Sequence, residues 1–114
     1  MASKKPAGPR MTIPVQLVLR ALLEEPGQEM YGLQICTAAG LPSGTIHPIL
    51  ARFEGLGWLE SRWEDAIPQE EGRPKRRYYK LTEDGAQRAR IALAQATTSV
   101  TALGLRPRPA GGPA

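Results

Sequence analysis

Residues 43–57, SGTIHPILARFEGLG, decide the fold. Ile46, Ile49, Leu50, Phe53 and Leu56 recur at steps of 3, 1, 3 and 3, which is one apolar stripe along a helix. Thr45, His47, Ala51 and Arg52 occupy the opposite face. Ser43 is the expected N-cap and Gly57 the expected stop. Pro48 falls where it removes one backbone bond, to Gly44, and so loosens the first turn. Immediately upstream, Tyr31, Ile35 and Ala39 share a stripe at i, i+4 and i+8, so a shorter helix is expected over about 31–39. Gly40 closes it as a left-handed cap, and Leu41-Pro42 bridges to the next helix. Two helices joined by so short a turn form a helix-turn-helix arrangement.

Downstream the period changes to two. In WLESRWE (58–64) Leu59, Ser61 and Trp63 fall on one side of a strand, with Glu60 and Arg62 on the other. DAIPQEEGRP (65–74) reads as a loop. RRYYKL (76–81) resumes as a strand with Arg77, Tyr79 and Leu81 on one face. A hairpin of two strands is marginal alone and must lie on the helices. Upstream, IPVQLVLRALL (13–23) is apolar nearly all round, so that helix is covered on more than one side. Thr12 caps it, Pro14 sits in its first turn and Pro26 follows its end. Thr82 is the expected cap of a last helix over about 83–103. There Ala86, Ala89, Leu93, Ala96, Val100 and Leu103 recur at 3, 4, 3, 4 and 3, the spacing of a coiled-coil seam. Such a stripe suits a dimer interface, because a helix added after the hairpin has little core left to cover. The alternative is that it covers the chain's own core.

The expected fold is therefore mainly α with a small β-hairpin, a winged helix-turn-helix plus a C-terminal dimerisation helix. Residues 1–10 read as a disordered basic arm, with Met11 a second candidate start, and 104–114 as a disordered tail. Between them, 11–81 is the expected winged helix-turn-helix domain and 82–103 the dimerisation helix.

With 41% hydrophobic and 23% charged residues, the 114-residue chain has the balance of one globular domain. No apolar run reaches the roughly 18 residues of a membrane span, and no signal peptide opens the chain. One Cys and one His leave no disulfide framework, zinc pattern or nucleophile–base pair. No catalytic residue, metal ligand or cofactor is expected, and the cytoplasm is the expected compartment. The net charge of +4 comes from the ends: residues 11–105 hold ten basic and eleven acidic side chains. A partner must therefore be argued from where the charges sit.

Three placements argue for double-stranded DNA. Ser43, Gly44 and Thr45 put small, hydroxylated residues at a helix N-terminus that suits a phosphate. Arg52 lies opposite the apolar stripe, and His47 is on the same exposed face, a base or phosphate contact or an idle surface histidine. Arg73, Lys75, Arg76, Arg77 and Lys80 put five cations within eight residues of the returning strand. Against this, a basic strand can simply protect a sheet edge, and Glu64, Asp65, Glu70 and Glu71 can pair with its cations. Cys36 reads as a small core side chain, and Trp58 and Trp63 as the root of the hairpin or a platform for a flat ligand.

MYGLQI (30–35), SGTIHPILARFEGLGWLESRWE (43–64) and GRPKRRYYKLTEDG (72–85) together resemble the PadR family of bacterial winged-helix transcriptional regulators, over about residues 13–90. The resemblance implies a homodimer on a roughly palindromic operator, acting as a repressor that a small-molecule effector or other signal releases. It implies DNA contact by Ser43, Gly44, Thr45, His47 and Pro48 from the recognition helix, and by Arg73, Lys75 and Arg76 from the wing tip. The C-terminal helix would supply much of the dimer interface. His47 stands where the family usually has Tyr, which implies a shifted operator preference and a pH-sensitive contact. The C-terminal part is one helix where some members have several. The rival readings are a winged-helix module that meets a protein instead of DNA, and an accessory factor that shapes DNA without regulating a promoter.

Overall fold

The computed structural model describes residues 9–65 and 72–102, with side chains through residue 96. Residues 1–8 of the arm expected over 1–10 and the tail expected over 104–114 lie outside the described residues, as do Leu103 and the side chain of Val100.

The chain runs α1 (Ile13–Leu23), β1 (Met30–Tyr31), α2 (Gly32–Ala39), α3 (Ser43–Gly55), β2 (Leu59–Trp63), β3 (Arg77–Leu81) and α4 (Glu83–Ala102). Thr12 caps α1, its hydroxyl accepting from the Val15 N–H at 3.3 Å, with Pro14 in the first turn. Gly40 ends α2 at φ 73°, a left-handed position open to glycine at no steric cost. Its N–H donates to the Cys36 carbonyl at 2.8 Å. Thr82 caps α4, its hydroxyl accepting from Gly85 N–H at 2.8 Å. The cap of α3 differs from expectation. Pro42 holds that position, and Ser43 is the first helical residue. The Pro42 carbonyl already receives the N–H groups of Thr45 and Ile46, at 3.0 and 3.1 Å, so the helix begins without a side-chain cap.

The sheet has three strands in the order β1-β3-β2, all antiparallel. Residues 30 and 31 are too few to show a period, so β1 has no signature in the sequence. It pairs Met30 with Tyr79 and Tyr31 with Tyr78. This ties the front of α2 directly to the hairpin.

Val18, Leu19, Ile35, Ile46, Leu50 and Phe53 form the fully buried centre of the core. The Phe53 and Trp58 rings meet at 4.9 Å, and Cys36 is half-buried against the cluster. The stripe of α3 thus holds at Ile46, Leu50 and Phe53, but Leu56 ends the helix half exposed. Trp63, expected with Trp58 at the hairpin root, is 55% exposed. The hairpin projects beyond the helices before it reaches residue 63. On α1, Val15, Val18, Leu19, Ala21 and Leu22 are buried, while Ile13 and Leu17 are left open.

The last helix corrects the expectation that little core remained for it. Ala86, Ala89 and Leu93 are buried against the chain's own core, and α4 packs on α1 and β3. The two alanines let the helix axes approach closely, and Gly85 lets its first turn lie across the backbone of Trp58. These three residues therefore serve the fold of one subunit. Ala96, further along the stripe, is half-buried.

Candidate nucleic-acid interface

The exposed side of α3 is built by subtraction. With Ile46, Leu50 and Phe53 turned inward, the 3.6-residue period leaves Ser43, Gly44, His47, Pro48, Ala51 and Arg52 exposed and Thr45 half exposed. The N–H groups of Ser43 and Gly44 precede the first intrahelical bond and point out of the helix end with the positive pole of its dipole. Pro48 sits inside α3 and leaves the Gly44 carbonyl without its helical donor. The first turn is thus open, polar and free of acidic side chains. Arg52 lies two turns further on.

The cations of the hairpin separate into two groups. Arg73 is committed to Glu64 through both guanidinium Nη atoms, at 2.9 and 3.0 Å. Arg77 reaches Glu54 of α3 at 3.3 Å and Ser61 at 3.0 Å, with its guanidinium 5.2 Å from the Trp63 ring. Ser61 donates to the same Glu54 oxygen. Arg77 therefore fastens the hairpin to the C-terminal half of α3. Lys80 pairs with Glu60 across the ladder at 3.6 Å. Of the acidic residues expected as competitors, Glu64 is engaged by Arg73, Asp65 is exposed, and Glu70 and Glu71 lie outside the described residues.

Lys75 is exposed, and Arg76 lies with its guanidinium 4.0 Å from the centre of the Tyr31 ring. Tyr31 meets Tyr78 edge to face at 5.7 Å. Arg62 covers Tyr78 at 5.2 Å and holds Glu29 in a two-point contact at 2.7 and 2.8 Å. The hydrogen bond from Arg62 keeps the Glu29 carboxyl below the usual carboxylate range. This row of rings and cations lies between β1 and the hairpin. Sequence reasoning missed Tyr31, Tyr78, Arg62 and Glu29, because β1 that assembles them is too short to announce itself.

His47 and Arg76 each touch one of two adjacent residues at the front of α2. Arg76 stacks on Tyr31, and the His47 ring passes so close to Gly32 that a Cβ there would come within 3.1 Å of its Cε1 atom. The open turn of α3 and the ring-stacked cation of the wing therefore flank the front of α2. Among the expected residues, Arg73 and Arg77 are held by carboxylates, while the exposed set on α3, Lys75 and the ring-stacked Arg76 are open to an outside ligand.

Glu64 gives this arrangement a pH signature. The hydrogen bonds from Arg73 and from the Arg76 N–H, the latter at 3.1 Å, lower its carboxyl to about 2. A carboxyl depressed in the fold contributes stability above its unfolded value and loses it as pH falls through the folded one. The anchoring of the wing base is therefore complete at neutral pH and is lost between about pH 4.5 and about pH 2. A carboxyl-carbon NMR titration should place the Glu64 midpoint near the lower end of that window. A midpoint in the ordinary glutamate range would show that the Arg73 pair does not persist in solution.

The family profile "Transcriptional regulator PadR-like family" matches residues 18–91. A search of curated proteins returns no match. Among solved structures, the disulfide-formed AbfR superposes with a TM-score of 0.59 at 27% identity, over 78% of this chain and 55% of that one. A second AbfR structure, overoxidized and bound to DNA, gives the same score and identity over 59% of its chain. The chain thus spans little more than half the length of AbfR. A PadR family transcription regulator from hypervirulent Clostridium difficile R20291 superposes with a TM-score of 0.58 at 21% identity, over 78% of this chain and 92% of that one. That likeness shows the shared winged-helix fold. No helix among the described residues is long and apolar enough to cross a membrane.

Proposed function

From the premise that the chain belongs to the PadR-like family of transcriptional regulators, we propose that it binds a pseudo-palindromic operator as a homodimer and represses transcription from it. The family is one of regulators and not of enzymes, so the site is read for binding alone. The observation that carries the proposal is the convergence of His47 and Arg76 on the front of α2. It brings an open helix end and a half-exposed wing cation to one end of α2, the pairing a major groove and its flanking phosphates require.

In this reading α3 enters the major groove. The Ser43 and Gly44 N–H groups and the Thr45 hydroxyl anchor a phosphate, while His47 faces base edges. Lys75 and Arg76 meet the adjoining backbone, and Arg52 lies toward the phosphates of the opposite groove wall. The half-sites are then about one helical turn, near 10 base pairs, apart. Dimerisation is supported by the apolar side chains that α1 and α4 leave open. Ile13 is 65% exposed and Ile91 53%, with Leu17 beside Ile13 on the same helix. The spacing of Ala96, Val100 and Leu103 in the sequence, that of a coiled-coil seam, is a second argument for a partner helix along the end of α4. The place of action would be the bacterial cytoplasm, at the nucleoid.

The two contact classes separate by mutation. Arg76→Ala should weaken binding to every duplex alike and reduce the slope of log affinity against log salt by about 0.9 for each phosphate that the side chain neutralises. His47→Ala should leave that slope in place and change which sequence is preferred, by roughly 5-fold or more at one base pair per half-site. Fluorescence anisotropy over a salt series, with matched and mismatched duplexes, reads both effects. Equal losses on specific and shuffled DNA from both variants would contradict the assignment.

A further inference from the structure

We propose that Tyr31 and Gly32 are positioning residues for DNA recognition: Tyr31 aims the wing through Arg76, and Gly32 sets the rotamer of His47. The proposal rests on the reading of His47 and Arg76 as DNA contacts and adds a part that touches no DNA itself. Three observations carry it. The Arg76 guanidinium lies 4.0 Å from the Tyr31 ring centre, well inside the range of a cation–π contact. The ring is fixed from behind by Tyr78 at 5.7 Å, edge to face, and by pairing of residue 31 with residue 78 in the sheet. Gly32 leaves the space that the His47 imidazole fills, since a Cβ would stand 3.1 Å from Cε1 and 3.6 Å from Nε2.

The glycine is not explained by the fold alone. Gly32 has no positive φ, so nothing in its backbone calls for glycine. As the first residue of α2 it would gain helix propensity from Ala. What Ala would disturb is the imidazole, which sits on an exposed face and can rotate away. The Tyr31 backbone is secured separately, its N–H donating to the Gln34 side-chain carbonyl at 3.0 Å. Its ring, packed on Tyr78, carries the Arg76 guanidinium. Because residues 31 and 32 are adjacent, any tilt of the front of α2 moves the wing cation and the reading histidine together. The dipeptide thus keeps the two contact classes in register.

The test is a pair of double-mutant cycles on the full chain, using the duplex enriched from a randomised pool by the unmutated protein and a shuffled control. Tyr31→Ala should weaken binding to both duplexes roughly 2- to 5-fold, and this loss should vanish in an Arg76→Ala background. Tyr31→Phe keeps the ring and should bind as the parent. Gly32→Ala should shift base preference by roughly 5-fold or more at the position that His47→Ala also affects. It should leave the salt slope unchanged, and the shift should vanish in a His47→Ala background. Thermal melts of Gly32→Ala and Tyr31→Phe within a few degrees of the parent keep the comparison on folded protein. Losses that simply add in both backgrounds, while Arg76→Ala and His47→Ala each act alone, overturn the positioning role and leave the interface standing. No effect of Arg76→Ala or His47→Ala by themselves overturns both.

Discussion

Gly85→Ala should cost the chain about 3 kcal/mol or more and lower its melting temperature by roughly 10 °C or more. A Cβ at this position would stand 2.0 Å from the Trp58 carbonyl oxygen and 2.6 Å from both its carbonyl carbon and Cα. Those are backbone atoms and have no rotamer to retreat into. They are also held in place: the Trp58 N–H donates to the Phe53 carbonyl at 3.0 Å, and its carbonyl accepts from the Thr82 N–H at 2.9 Å. The only relief is for α4 to lift away. That exposes Ala86, Ala89 and Leu93 and breaks the cap in which Gly85 N–H donates to Thr82 Oγ1. Gly55→Ala is the matched control, because nothing lies within 4 Å of its added Cβ. It should be neutral or stabilising by a few tenths of a kcal/mol, up to about 1. A circular-dichroism melt of the two variants decides it, and equal melting temperatures would show that α4 does not pack on Trp58 as described.

Phe53→Ala should be comparably severe, at about 3–5 kcal/mol. Phe53 is fully buried, on the stripe that seats α3, and its ring meets Trp58 at 4.9 Å. A small domain has about 5–15 kcal/mol of stability in total, so much of the population would unfold near physiological temperature. The consequence for binding differs from that of a contact mutant. Loss of affinity should follow the fraction unfolded and be relieved by cooling, while base preference and salt slope stay those of the parent. Phe53→Leu keeps most of the volume and should lose about 1–2 kcal/mol. Urea denaturation with unchanged m-value reads these differences as stability alone.

The parts legible in the sequence are those where one periodicity or one special residue decides. The stripe Ile46, Leu50 and Phe53 placed α3, Gly40 ended α2, and Thr12 and Thr82 marked helix starts that the hydrogen bonds bear out. The place of β2 within residues 58–64 and the face shared by Tyr79 and Leu81 followed from alternation. What escaped was decided by partners distant in the chain. β1 exists because Met30 and Tyr31 meet β3, forty-nine and forty-seven positions on, which no local pattern encodes. Trp63 read as buried from its residue type, but its exposure depends on how far the hairpin projects.

The stripe of α4 shows a different limit. A spacing of 3 and 4 states that one face is covered and is silent about what covers it. The first half, Ala86, Ala89 and Leu93, is covered by α1 and the sheet of the same chain. The candidate site was likewise legible as a list and not as an arrangement. Ten residues could be named, but their division between cations held by carboxylates and cations left for DNA depends on Glu64 and Glu54, which lie 9 and 23 positions away from their partners.

The central claim is sequence-specific DNA binding through α3 and the wing, and its most direct test is affinity for two duplexes of identical composition. One is the sequence enriched from a randomised pool and the other its shuffled version, both titrated by fluorescence anisotropy across a salt series. The expected result is a preference of about 10³-fold or more for the enriched duplex, with log affinity falling linearly against log salt. Equal affinity for the two at every salt concentration, or no binding at low salt, would contradict it.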